Sequence, residues 1–241
     1  HAQWSKASGF CIYNALAVGI RRALDRGLQR VAYIDVDVHH GDGVEALFAE
    51  DPRVLTISVH QSPQTLWPGT GRIEDRGRGE GRGSAVNLPL APGTTDASWL
   101  ACIDRTLDAA LSAFQPELIV SQHGCDPHPS DPLADLSVGT GAMEQASHMI
   151  RGHADTFCHG RWVATGGGGY QPLSVLPRAW TLVWGVVAGR NVPELVPESW
   201  RNRYEAKAMG PLPGRFRDAP ATDPRSEAAA VANERTTDAL L

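Results

Sequence analysis

The chain has 241 residues, 42% hydrophobic, 20% charged and 7% aromatic, a composition that fits a globular domain and excludes fibrous or wholly disordered sequence. At this length a compact body buries on the order of 70% of its unfolded surface, so neither disulfide nor metal is needed merely to fold. Lysine and arginine number 22 against 27 aspartates and glutamates, a formal charge of -5, which leaves no basic footprint for nucleic acid or an anionic membrane.

In chain order, Ile12, Leu16, Ile20 and Leu24 recur every fourth residue and predict a helix that stops near Gly27. The segments 31–38 (VAYIDVDV), 54–60 (VLTISVH) and 85–90 (AVNLPL) read as strands. A short helix is expected over 44–50, whereas 63–83 is a long Gly- and Arg-rich connection of the kind that is usually functional. Thr95 or Asp96 can cap a helix carried by Leu100, Ile103, Leu107, Leu111 and Phe114 and ended by Pro116. Strand 118–122, helix 140–157, strand 162–165, the glycine run 166–169 and a helix over 174–188 closed by Gly189 follow, with Trp180 and Trp184 expected on a buried face of that helix. Such alternation predicts an α/β fold with a parallel sheet covered on both faces, its ligands beyond the carboxyl ends of the strands.

From Pro211 onward Pro, Ala, Asp and Arg dominate without periodicity, so 211–241 is expected to be a disordered acidic tail behind a single domain over 1–210. The longest apolar runs, such as 180–188, fall far short of the roughly 20 residues of a membrane span. Cys11, Cys102, Cys125 and Cys158 are widely separated and form no CxxC pair, which suits a reducing, cytoplasmic setting. The chain opens at His1 directly into patterned sequence and reads as a truncated piece.

Alternation along 31–38 and beyond puts Asp35, Asp37 and His39 on one side, at the carboxyl end of a buried strand. Only Arg53 supplies a cationic side chain between residues 31 and 55, so a metal is the natural compensation for those carboxylates. Asp42, in the turn His40-Gly41-Asp42-Gly43, can either orient a histidine or cap the following helix. Asp126, in QHGCDP after strand 118–122, offers a third ligand across adjacent strands. Two Asp and one His leave an open coordination position, the catalytic kind of site.

The run 166–169 could cradle a phosphate, but it lacks a GKS/T ending. It can instead let the hydroxyl of Tyr170 approach a developing oxyanion. His148, His153 and His159 read as surface histidines, the charged 72–82 segment as a solvated loop and Cys125 as packing, while His123 and His128 flank Asp126.

These motifs, SGFCIYN (8–14), YIDVDVHHGDGV (33–44), PGTG (68–71), QHGCDP (122–127) and GGGGY (166–170), stand in the order found in the zinc-dependent histone deacetylase and acetoin utilisation protein superfamily, which the chain resembles from His1 to about Trp200. QHGCD and the PRAW at 177–180 look closer to the acetoin utilisation branch. The resemblance implies a three-layer arginase/deacetylase-like fold and hydrolysis of the acetyl amide of acetylated lysine, in a protein or a small acetyl amide, with no nucleic-acid or membrane partner. It makes Asp37, His39 and Asp126 the ligands of Zn2+, with Fe2+ also compatible, and Tyr170 the group that polarises the acyl carbonyl. His1 matches the second histidine of the family's catalytic pair and Asp42 its partner. The first histidine is absent, and Asp35 matches its aspartate. Gly9, Phe10, Trp67, Leu133 and Gly168 would line the acyl-lysine channel, and a structural K+ would lie near Asp35, Asp37, His39, Ser58 and Val59. Two other readings stay open: a two-metal ureohydrolase of related fold, and a binder that keeps the channel without turnover.

Overall fold

A computed structural model describes residues 1–208 and 210–241. Among the described residues five parallel strands form one sheet: β1 (Val31–Asp35), β2 (Val54–Gln61), β3 (Ala85–Leu90), β4 (Leu118–His123) and β5 (Trp162–Gly166), in the order β3-β2-β1-β4-β5. Seven α-helices accompany them in the described residues: α1 (Ala15–Asp25), α2 (Asp42–Phe48), α3 (Asp96–Phe114), α4 (Thr140–Cys158), α5 (Leu176–Ala188), α6 (Glu198–Tyr204) and α7 (Ser226–Leu240).

Strand alternation assigns the layers. Val31 and Tyr33 pack with Ala17, Ile20 and Leu24 of α1 and with Val44 and Phe48 of α2, while Ala32 and Ile34 face Ile103, Leu107, Ile150 and Ala179 of α3, α4 and α5. This is the expected α/β/α sandwich. β1 and β2 are buried along their whole length, which explains their near-continuous apolar sequence.

The expected strand over 31–38 stops pairing at Asp35. Asp35 Oδ1 accepts the Asp37 N–H at 3.1 Å and Asp37 Oδ1 accepts the His39 N–H at 2.9 Å, so acidic side chains take backbone donors that a longer ladder would have used. The first helix begins later than its stripe suggested, because Asn14 Oδ1 caps it by accepting the Ala17 N–H at 3.0 Å. Ile12 therefore lies outside the helix, exposed. Trp184 is also exposed rather than buried, whereas Trp180 is half-buried, its indole N–H donating to the His123 carbonyl at 2.9 Å. β5 is one edge of the sheet, and Val163 is half exposed there, so the covering of both faces expected of every strand fails at β5.

The largest correction concerns the stretch 211–241. Far from lacking order throughout, it carries α7, which packs on β3 and α3. Asn233 is the reason: fully buried, its Oδ1 accepts the Ala91 N–H at 2.8 Å and its Nδ2 donates to Thr94 Oγ1 at 2.7 Å and Ser98 Oγ at 3.0 Å. Replacing Asn233 by Ala leaves the half-buried Ala91 N–H without its acceptor and removes the amide N–H donor shared by the Thr94 and Ser98 hydroxyls, which costs on the order of 2 kcal/mol. The expected outcome is a lower denaturation midpoint and earlier proteolytic release of α7, read by denaturant titration and limited proteolysis.

Candidate metal centre

Register brings the site together. At the end of β1, Asp35 lies between Ser58 of β2 and Gln122 of β4, and His123 at the end of β4 pairs with Gly166 of β5. The loops carrying Asp37 and His39, Asp126, and Tyr170 therefore leave adjacent strands at one end of the sheet. Asp37, His39 and Asp126 are buried, and one ligand atom from each lies within 4.8 Å of the others. His39 Nδ1 stands 3.1 Å from both Asp37 Oδ1 and Asp126 Oδ2.

The outer atoms of this trio are held by main chain and amide. Asp37 Oδ2 accepts the Gly168 N–H at 2.7 Å and Gln122 Nε2 at 2.9 Å, and Asp126 Oδ1 accepts the Val38 N–H at 3.0 Å. Gln122 Oε1 in turn accepts the Gly124 N–H at 2.6 Å. Glycine is required at 168 for space, since a Cβ there would run into the carboxylates of Asp126 and Asp37. At 167 and 169 it would meet Gln122 and Cys125.

Burial lowers the affinity of the His39 ring for a proton, yet hydrogen bonds and charge from Asp126 and Asp37 hold its pKa at about 10. Burial and repulsion from Asp37 push the Asp126 carboxyl upward, while at Asp37 the bonds from His39 outweigh burial and keep it below the usual range. A site that holds a proton this tightly is built for a cation, and two carboxylates with one imidazole are donors that suit zinc or ferrous iron. The residues fit a metal.

His1 Nδ1 lies 2.6 Å from Asp42 Oδ1, and its ring meets Trp67 edge-on with centroids 4.8 Å apart. Asp42 is the first helical residue of α2 behind Gly41, not the cap of a helix starting at Val44. A cavity of about 450 Å³ is lined by His1, Gly9, Phe10, His39, Leu66, Trp67, Leu133 and Tyr170. Of the expected channel residues only Gly168 is missing from that wall; it lies deeper, against the carboxylates, in an adjoining and larger cleft. Phe10 holds a left-handed φ of 60° although it is not glycine, and its exposed ring faces Tyr170 at 5.9 Å. Burial, with the charges of Asp126 and Asp37 nearby, pushes the Tyr170 phenol up to about 12, so at neutral pH it is a hydrogen-bond donor. The Cys125 thiol, also pushed to about 12 by burial, is inert packing.

Asp35 Oδ2 accepts the Tyr33 hydroxyl at 2.5 Å, and burial raises its pKa to about 7. Ser58 Oγ accepts the Gly41 N–H at 3.2 Å and bonds His60 Nδ1 at 2.9 Å. His123 is buried with Ser121 and Ser147 as partners, and burial pushes its pKa down to about 4. His148 and His159 are exposed.

Sequence reasoning missed Gln122 as a support for Asp37, though it lies inside the quoted QHGCDP, and it missed Asp218. Asp218 Oδ1 accepts Arg178 Nη1 at 2.7 Å, and Oδ2 accepts from Thr140 Oγ1 at 2.8 Å and His128 Nε2 at 3.2 Å. This cluster ties the end of α5's first turn, α4 and the loop beyond Asp126 together. Burial opposes ionisation of Asp218, but the bonds from His128 and Arg178 prevail and hold its carboxyl well below the usual range. A depressed native pKa stabilises the fold in full above the unfolded value near 4, and that contribution fades as pH falls from there through the lower native value. Asp218→Asn is therefore expected to lose about 2 kcal/mol at pH 7, the deficit shrinking as pH drops below about 4, in denaturation curves measured across pH.

Comparison with known proteins places this geometry. Residues 1–187 match the family described as the histone deacetylase domain. The acetoin utilization protein AcuC of Bacillus subtilis is 38% identical over 218 residues, covering 90% of this chain and 56% of that protein. The AcuC protein of Staphylococcus xylosus is 36% identical over 219 residues, again 90% of this chain and 57% of that one. The chain thus spans little more than half the length of these relatives. Among solved structures, an HDAC homologue from Aquifex aeolicus and an HDAC homologue complexed with SAHA each superpose with a TM-score of 0.86 at 32% identity, covering 98% of this chain and 65% of theirs.

Proposed function

Since the chain belongs to the histone deacetylase family, we propose that it is a metal-dependent amidohydrolase that removes the acetyl group from an acetylated lysine side chain, in a protein or as a small acetyl amide. The observation that carries this reading is the convergence of Asp37 and Asp126 on His39, which lines the same channel as His1 and Tyr170. Asp37, His39 and Asp126 would hold Zn2+, or Fe2+ on the same donors. Bound there, the metal supplies Lewis-acid polarisation of the acyl carbonyl and acidifies a water.

The chain's own groups do the rest. Hydrogen bonding to Asp42 places the proton of His1 on Nδ1 and leaves Nε2 free to take a proton from the attacking water. As the carbonyl oxygen gains negative charge, Tyr170 donates its phenolic hydrogen bond to it. The protonated His1 then gives its proton to the amine as the C–N bond breaks, yielding acetate and free lysine. Phe10, Trp67 and Leu133 exclude water along the slender alkyl chain. Asp35 stands where the family's other catalytic histidine would find its partner. A structural K+ near Asp35, Asp37, His39, Ser58 and Val59 belongs to the same reading, as does a cytoplasmic setting, in line with four free cysteines. Among the described residues no helix is long and apolar enough to cross a membrane.

Titration with zinc and an assay of acetate release from an acetyl-lysine peptide test the reading. One metal per chain with release is expected, and Asp126→Ala should lose both. Peptide binding without release would instead mark an acyl-lysine binder, and two metals per chain a ureohydrolase-like site. Tyr170→Phe removes only the donor aimed at developing charge, so kcat should fall about 10²-fold with KM nearly unchanged; steady-state kinetics with equal turnover in the two forms would remove Tyr170 from the chemistry.

A further inference from the structure

Both oxygens of the Asp131 carboxylate are engaged by main chain. Oδ1 accepts the Leu133 N–H at 3.0 Å, and Oδ2 accepts the Tyr170 N–H at 2.9 Å. The first bond is a local Asx turn. The second crosses from the loop after β4 to the loop after β5, between residues 39 apart in sequence. Asp131 is 7% exposed, and its own N–H is anchored on the His128 carbonyl at 2.9 Å.

What the carboxylate joins gives it significance. Leu133 and Tyr170 both line the channel that holds His1 and His39. Tyr170 follows four glycines, a segment with more conformational freedom to lose than any other residue type would bring. Gly166 is paired with His123 in the sheet, and beyond it two bonds restrain the run: Gly168 donates to Asp37, and its carbonyl accepts the Cys125 N–H at 2.7 Å. Neither acts on Tyr170 itself. Its backbone N–H is held by Asp131.

We propose that Asp131 is a positioning residue whose carboxylate locks the backbone of Tyr170 to the channel wall at Leu133, so that the phenol is presented at the carbonyl end of the channel. The proposal rests on the role given to Tyr170 above. Misplacement of a catalytic group by about 1 Å costs up to about 10²-fold in rate, which sets the scale of the effect.

Asp131→Asn keeps the shape and the acceptor for Leu133 but turns an NH2 toward the Tyr170 N–H. In the zinc-loaded protein this variant is expected to bind one metal per chain, to lower kcat about 10-fold with KM within about twofold, and to speed hydrogen exchange of the Tyr170 amide at least about 10-fold. Because Asp131 acts through the phenol, Asp131→Asn combined with Tyr170→Phe should be no slower than Tyr170→Phe alone. Multiplying losses in the double variant, or an unchanged exchange rate at the Tyr170 amide, would overturn the proposal. If Asp131→Asn does not fold, the unsubstituted chain still decides: its Tyr170 amide should exchange at least about 100-fold more slowly than a free amide, and an unprotected amide there rejects the lock. A wild type that binds zinc but releases no acetate would sink the deacetylase reading, while the amide measurement would continue to judge Asp131.

Discussion

Two buried carboxylates and an imidazole, held 3.1 Å apart at the end of a parallel sheet, form an arrangement that water would dissolve and an apolar interior would reject. It survives because each of the remaining carboxylate oxygens is met by a fixed donor: Gly168 N–H, Gln122 Nε2 and Val38 N–H. Those donors come from β4 itself and from the loops after β1 and β5, which meet only because β1, β4 and β5 are adjacent. The sheet order is thus the precondition of the site. Acceptors left pointing inward among themselves define a place where positive charge is stabilised, and a divalent cation supplies more of it than the proton on His39.

Around this centre the support is layered. Gln122 holds Asp37 and is itself held by Gly124. Arg178, Asp218, His128 and Thr140 clamp the loop that follows Asp126 against α4 and α5. Asp42 fixes the His1 ring, and Ser58 bonds both Gly41 and His60, so the turn carrying Asp42 is fastened to β2. Buried neutral histidines such as His60, whose pKa burial and the neighbouring His40 push down to about 3, serve as hydrogen-bonding rivets rather than as acids or bases. Polar groups this numerous inside a small domain are tolerated because nearly every one has a partner.

Much of this could be read in advance from the residues. The five strands and helices α1, α3, α4 and α5 announced themselves by their patterning, because the residues that bury them are apolar. Asp37, His39 and Asp126 were legible for a different reason: acidic residues at the ends of buried strands are costly, so the pattern itself demanded an explanation. What stayed hidden has two physical sources. The buried face of α7 is Ala229, Asn233 and Thr237, which keeps the helical spacing of four but not the hydrophobicity that makes spacing visible; a search for small and amide residues at that period would have found it. Gln122, Asp131 and Asp218 act through bonds spanning 85, 39 and 90 residues, and nothing within a short window distinguishes them from ordinary loop residues. Ile12 and Trp184 erred the other way, being apolar residues on the right period that the fold leaves in water.

The glycine run also bears on how the sequence can change over time. Positions 167, 168 and 169 are each denied a side chain by a different neighbour, Gln122, Asp126 and Cys125 in turn, and those neighbours lie within one short stretch, the end of β4 and the start of the loop after it. Neither stretch can drift alone: a bulkier residue in one is admissible only with a simultaneous reduction in the other. The two segments therefore behave as one heritable unit split across the chain, and recombination between relatives that separates them would join halves that no longer interlock.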